Sequence, residues 1–571
     1  MKKMNLLILP MILLVSGSCD PVNDENSLRP RPDSPESITY SDAADVPVIH
    51  TVDESDYTVY YIDSDNGSDS NDGLSESDAF KSFSPVAGLS KPEGTKILLK
   101  KGCTYSGPLV LKELGGTYSK PFIVDAYGEG DRPVISGTGD YAVLIQDDNI
   151  RFRNICITNK AGKRGIWVLA DRGGAMQNIQ IHGCRFDTVN WQGDMDVETM
   201  ELTSANVTAA CSNDNYNKLF GGVIFQGPDD ASTGPSWFEN LFVTDNEFYK
   251  VSRTGIQIYS RWGDRTGRGN GRNAYIDDDH NWYPNRNVVF QGNELDYIGG
   301  DGIVLQMTDG GFIDHNRCYH ANFLGRSGQA NVAMWPYSAK NIVMQFNEAA
   351  YTRWENGSSD GEGLDVDIAC RNTLVQYNYV HHNTGGGILL CNRGGDSNVG
   401  ADHNGTVIRN NVFLLNGGKS KGSFMMLSTC VGTVEAYNNI VITDNENPRI
   451  IHSDDWYKEG NTKELIMRNN IFMSTTAVVG VFDHSAIDYT AFENNLYWNL
   501  ASDFSIVDPY SLMYDPEISV PVDMNGYDKA AMCRPGNAKV FEDGFLFDGM
   551  ASKDFTGTPV DGIKYLGAFA R

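Results

Sequence analysis

Residues 345–350, 376–381, 409–414, 437–442 and 468–473 read QFNEAA, QYNYVH, RNNVFL, YNNIVI and RNNIFM. In each, an asparagine (Asn347, Asn378, Asn411, Asn439, Asn470) opens a short β-prone run. The phrase recurs as TDNEFY at Asn246, QGNELD at Asn293, DHNRCY at Asn316 and ENNLYW at Asn495. Successive asparagines lie 23 to 33 residues apart, except for a gap of 47 between Asn246 and Asn293. A period of that size, filled with short strands and turns, marks a solenoid. No L-x-x-L-x-L pattern is present, which excludes leucine-rich repeats. Apolar positions alternate with period two, which excludes helical repeats. The expectation is an all-β chain wound as a right-handed parallel β-helix of roughly 10 or more coils. An asparagine at the same turn of each coil stacks on the next, exchanging amide hydrogen bonds and tolerating left-handed backbone. Its role is structural.

Around that ladder, several coils open a strand in the same way: GIQIYSR from Gly255, GIVLQMT from Gly302, GLDVDIA from Gly363 and GILLCNR from Gly387. NVAMWPY from Asn331 is read in the same frame. Alternation along a strand then sends Ile256, Ile303, Val332, Leu364 and Ile388 inward, with Ile258, Leu305, Met334, Val366 and Leu390. The intervening residues face out in two columns. One is Gln257, Val304, Ala333, Asp365 and Leu389; the other is Tyr259, Gln306, Trp335, Asp367 and Cys391. Coils stack ~4.8 Å apart, so this frame places Trp335 beside Asp367. Asp365 and Asp367, two residues apart on one strand side, have Cα atoms about 6.6 Å apart. Two carboxyl groups at that range suit glycosidic cleavage, one protonating the leaving oxygen while the other attacks or activates water. Asp365 and Asp367 are the expected catalytic pair, with Glu362 of DGEGLDVD as a third candidate. Trp335, Gln306 and Tyr259 are expected to bind substrate.

Composition narrows the partners. The net charge of −28 opposes nucleic acid and anionic lipid. Nine cysteines follow Cys19, none in a C-x-x-C pair, so a metal ribbon is not expected. Cys156, Cys184 and Cys318 sit in apolar strand contexts and read as small buried hydrophobes. Residues 1–18 combine a basic start, a short apolar run and small residues, a secretory signal too short to span a bilayer. Cys19 after Ser16-Gly17-Ser18 fits a lipidation site, and acidic residues 19–55 fit a flexible tether. The expectation is an exported outer-membrane lipoprotein, at the cell surface or facing the periplasm, monomeric and touching the membrane only through lipid. Residues 56–571 form the β-helix domain, interrupted near 190–220 and 260–287. The second insertion carries Arg261, Arg265, Arg268, Arg272 and Arg286 beside Trp262, Tyr275, Trp282 and Tyr283. Arginine binds carboxylate or sulfate bidentately and the aromatic rings offer stacking faces, so Arg261 and Trp262 are added as substrate-binding candidates.

The segments YYIDSDNGSDSNDGLSESDAFKSFSPV, KILLKKGCTYSGPLVL and KPFIVDAYGEGDRPVISG resemble the N-terminal cap of pectin-lyase-like β-helix proteins. RPGNAKVFEDG and DFTGTPVDGIKYLGAF look like the degenerate tail that closes such solenoids. AMWPYSAKNIVMQFNEA and DGEGLDVDIACRNTLVQYNYVHHNTGGGILLC resemble bacterial glycan-degrading β-helix proteins, including relatives of glycoside hydrolase family 141. That resemblance implies that the motif from Asp360 to Asp367, and the His381-His382 turn, lie in or beside an active site.

Three functions follow. The first is a glycoside hydrolase without cofactor, cleaving a complex polysaccharide that the arginines would allow to be acidic. The second is a polysaccharide lyase in which Asp360, Glu362, Asp365 and Asp367 hold Ca²⁺ and a base takes the C5 proton. The outward strand positions carry no Lys, leaving Arg261, Arg353 or Arg393 as that base, and this scarcity favours hydrolysis. Arg393 also stands as a substrate-binding candidate. The third is a surface protein that binds glycan without cleaving it.

Overall fold

The computed structural model describes residues 45–570 apart from 193–195, 201–202, 204, 207–216, 229–230, 265–281, 326–328, 355–359, 393–402, 418–421, 429–431, 446–447, 455–463, 479–489 and 501–506. The chain winds as a right-handed parallel β-helix with three parallel sheets, of 14, 13 and 11 strands. One coil shows the order. Asn285–Gln291 lies in the 14-stranded sheet, Glu294–Ile298 in the 13-stranded sheet and Ile303–Gln306 in the 11-stranded sheet, before Thr308–Asp314 begins the next coil.

Period-two alternation fills the bore. In the 11-stranded sheet one inward column is Ile166, Val223, Ile256, Ile303, Met334, Leu364, Ile388, Met425 and Ile451, each fully buried and paired with its neighbour. Burying such side chains, at roughly 1.5–3 kcal/mol each, is the main force holding the coils together. Cys184 and Cys318 are fully buried, as read from their strand contexts, whereas Cys156 is partly exposed; all three are free thiols.

The nine asparagines form one ladder. Each side-chain amide from Asn246 to Asn470 donates to the next Oδ1 at 2.9–3.1 Å, and Asn495 ends the row on Asp508. The left-handed residue is not the ladder asparagine, as the sequence suggested, but the one before it: Phe346, Tyr377, Asn410, Asn438, Asn469 and Asn494 have φ of 49–60°. The ladder side chain points into the turn, so its neighbour makes the corner.

Two further segments depart from the sequence reading. Residues 46–54 do not hang free: Val46 and Ile49 cover Phe242, Val289, Phe312, Val343 and Leu374 on the outer face of the 14-stranded sheet. His50 stacks on Tyr118 at 3.9 Å, and Glu54 pairs with Lys96 and Arg153. The C-terminal tail runs back along the side of the solenoid. Its Cys533, Val540, Phe555, Leu566 and Phe569 cover Tyr379, Leu414, Ile442 and Met473 on the 13-stranded sheet, and the Gly526 N–H donates to Glu348 Oε1. An apolar outer sheet face needs such a cover. Residues 1–44, including the expected signal and Cys19, lie outside the described residues. No helix among the described residues is long and apolar enough to cross a membrane.

Candidate active site

The acidic motif lies on the strand Glu362–Val366 of the 11-stranded sheet. Leu364 and Val366 fill the bore in register with Ile388 and Leu390, so Asp365 between them projects outward and pairs laterally with Leu389. Asp367 follows two residues on and donates its N–H to the Pro336 carbonyl of the preceding coil.

On one side of this strand the register differs from the sequence reading. Met334, not Val332, pairs with Ile303 and Leu364. Val332 packs outside with Val304 and Trp335, while Ala333 enters the core. The outward column is therefore Gln257, Val304, Trp335, Asp365 and Leu389, and the second is Tyr259, Gln306, Tyr337 and Asp367. Trp335 neighbours Asp365 rather than Asp367, and Tyr337 takes the place assigned to Trp335. Val332, Ala333 and Met334 are all apolar, so alternation within that strand fits two frames.

Four carboxyl groups gather here. Asp365 is 3% exposed, and its Oδ1 has no hydrogen-bond partner among the described residues. Burial first, then the charges of Asp367, Asp360 and Glu362, push Asp365 well above the usual carboxyl range. Asp360 is raised by burial, then by Glu362 and Asp367. Glu362 is fully buried and opposes Gly386, where a Cβ would come within 3.2 Å of its Cγ. Asp367 is only partly covered. Burial, then Asp367 and Asp365, also raise the Cys391 thiol, so it stays uncharged. A carboxyl held above its usual range beside a more open partner is the arrangement that acid-assisted glycosidic cleavage needs.

The same face extends into earlier coils. Gln257 Nε2 donates to Gln306 Oε1 at 3.4 Å, Trp167 Nε1 donates to Gln226 Oε1 at 3.1 Å, and Tyr259 lies beside Gln226. Trp167, Gln226 and Gln257 were not singled out from sequence, although GIWVLA from Gly165 carries the same opening as the later coils. Lys218 and Asp301 were missed for a different reason. Lys218 comes from the first insertion, yet its ammonium lies 4.8 Å from the Trp335 ring centroid and 4.0 Å from Asp301.

Other expected residues sit elsewhere. Tyr379–His381 belongs to the 13-stranded sheet, with Val380 inward, so His381 faces Glu348 at 3.1 Å beneath the tail. His382 stacks on Tyr351 at 5.3 Å, and burial, then His381, lower it to about 4. Both histidines are therefore removed from the carboxylate face. Arg261 is buried in a short 3-10 turn after Thr254–Tyr259, and Trp262 packs with Tyr283, Trp237 and Ala175 at a corner. Arg393 and the arginines from Arg265 to Arg272 lie outside the described residues. The described part of the first insertion packs Trp191 and Val197 with Phe323 and Leu324. Among the described residues no three His, Cys, Asp or Glu side chains are placed to hold a metal ion together. A cavity of about 340 Å³ between Ala477, Tyr497–Leu500 and Met513 has no carboxyl group in its lining.

No family model matches the chain. It is 25% identical over 513 residues to the lacto-N-biosidase of Bifidobacterium longum subsp. longum, covering 78% of this chain and 31% of that protein. The chain thus spans about a third of the length of that relative. Its fold is similar to that of the GH136 lacto-N-biosidase from Eubacterium ramulus, with a TM-score of 0.56 and 21% identity over 72% of this chain and 67% of that one. It is also similar in fold to XylC, solved with xylose, with a TM-score of 0.54 and 10% identity over 90% and 98% of the two chains.

Proposed function

We propose that this chain is a glycoside hydrolase that cleaves a complex glycan on the outer face of its 11-stranded sheet. The observation that carries the reading is the carboxyl group Asp360, Glu362, Asp365 and Asp367, two of whose members are pushed well above the usual carboxyl range by burial and by like charges. Asp367, the most open of the four, is assigned as the partner that attacks or activates water; the acid comes from the raised pair, Asp365 and Asp360. Trp335, Tyr337, Gln257 and Gln306 offer a stacking face and amide hydrogen bonds to sugar hydroxyls. Four carboxyl groups in one place disfavour a polyanion, so a neutral glycan fits better than the acidic one that the arginine-rich insertion suggested.

Similarity to lacto-N-biosidases makes lacto-N-biose glycosides the first substrates to try. The sequence resemblance to relatives of family 141 agrees with hydrolysis without choosing the sugar. The basic start and Cys19 support export and lipid anchoring, which would place the enzyme where such glycans arrive. Incubation with a panel of oligosaccharides, with and without chelator, tests the reading. New reducing ends, indifferent to chelator, are expected. Unsaturated products that need Ca²⁺ would establish the lyase instead, and tight binding without products would leave a glycan-binding protein.

A further inference from the structure

Asp301 is fully buried one coil before Trp335. It accepts from Arg253 Nη1 at 2.7 Å, from the Val332 N–H at 3.1 Å and from Trp335 Nε1 at 2.9 Å. The Lys218 ammonium stands 4.0 Å away and 4.8 Å from the Trp335 ring centroid. The Arg253 contact compensates the buried carboxylate, so Asp301 keeps its acceptor capacity for the indole. An indole fixed at its nitrogen and packed against Val304 and Val332 has one orientation. The ring is 4% exposed with Lys218 over it, and that orientation sets which part of it borders Asp365.

We propose that Asp301 is a positioning residue of the carboxylate face, anchoring the Trp335 ring as one wall of a sugar-stacking platform beside Asp365 and seating Lys218 over that ring. The stacking half of this assignment rests on the glycosidase reading; the seating of the cation does not. Lys218 opposes the rise of both buried carboxyls. The other titratable groups facing them are Glu362 and Asp367 on the same segment, Asp301 from two coils earlier and Cys391 from the following one. Behind Cys391 lies His403, whose Nδ1 is 3.1 Å from the Cys391 carbonyl and which burial lowers to about 4. Of the groups named here, Lys218 is the cation that can be removed without opening the core, since its side chain is 44% exposed.

The test uses the full chain and three variants: Lys218→Met, Trp335→Phe and Asp301→Asn. The emission of Trp335, obtained by subtracting the Trp335→Phe spectrum, reports protonation of the neighbouring carboxyls and needs no substrate. Losing a cation from beside a carboxyl raises its pKa, so Lys218→Met should move the midpoint of that titration upward by about half a unit or more. The pH–rate limb on any cleaved glycan should move the same way, with melting temperature unchanged. An unmoved midpoint would overturn the seating role. Asp301→Asn replaces the indole's charged acceptor by a weaker neutral one and removes the negative charge facing Arg253, so its fold is checked first by circular dichroism. If folded, it should shift Trp335 emission to the red and raise KM about fivefold with kcat little changed, the scale of one stacking contact. Unchanged emission and KM in a folded variant would overturn the platform role. If Asp301→Asn fails to fold, Trp335→Ala decides instead: an unchanged KM overturns the platform. Should the wild type cleave nothing, the glycosidase reading falls while the fluorescence titration still decides the cation's role.

Discussion

The asparagine ladder and the carboxylate face are two rows of buried polar groups built by the same coils, one at a turn and one on a sheet. In the ladder every side-chain amide meets an oxygen at 2.9–3.1 Å, and neighbours satisfy one another along nine asparagines. On the face, Asp365 is as deeply buried but has an oxygen with no hydrogen bond among the described residues, and like charges surround it. Complete pairing makes the first row a source of stability. Incomplete pairing makes the second a cost that folding alone would not retain, and a place where chemistry can occur.

The comparison breaks first at the reacting groups. Asp367→Asn and Asp365→Asn should each lower turnover by at least ~100-fold, the loss expected for a positioned acid or base. An aryl glycoside with a good leaving group should restore rate to whichever of Asp365→Asn and Asp360→Asn has lost the acid, and none to Asp367→Asn. Equal turnover in all three would place the reaction elsewhere.

The next effect is on stability. Asn411→Ala takes the acceptor from both the Asn378 N–H and Asn378 Nδ2, so it should cost about 1–3 kcal/mol in urea unfolding with turnover at low temperature preserved. Asp365→Asn should act in the opposite direction. A carboxyl whose folded pKa is raised contributes stability that is fully present below its ordinary 3.8 and is lost as pH rises through the folded value. The variant should therefore melt above the wild type at neutral pH, by about 1–3 kcal/mol, and the difference should close as pH falls toward 3.8. A wild type that stays the more stable at neutral pH would show that Asp365 is paired after all.

The smallest effect sharpens the contrast from outside. Arg317 and Glu294 repeat the coil-to-coil geometry of the ladder on the 13-stranded sheet, 2.7 Å apart with side chains 45% and 56% exposed. Arg317→Ala should change stability by less than about 1 kcal/mol, and less still in high salt. A larger loss would mean that stacking, rather than burial, carries the ladder's contribution.

Particular residues show how far reading the chain alone could go. The period of Asn246 to Asn495, the inward alternation of Leu364 and Val366, and the outward placement of Asp365 are local consequences of the two-residue pleat. They were legible without a fold. Trp335 was misplaced by two positions because Val332, Ala333 and Met334 satisfy alternation in either frame. Only the pairing of Met334 with Ile303 and Leu364 chooses between them. His381 was drawn into the site by the family resemblance, whereas the coil carries it onto the 13-stranded sheet and Asp365 onto the 11-stranded one. Lys218 and Asp301, 83 residues apart in the chain, carried no shared signal at all.

The sequence by itself determined the solenoid, its asparagine spine and the strand that bears the carboxyl groups, because each repeats with a period a single coil can express. Tertiary structure decided which carboxyls are pushed above their usual range, which aromatic ring stands beside them and which cation faces that ring. Burial, stacking register and charge proximity arise between coils, where distance along the chain carries no information about distance in space.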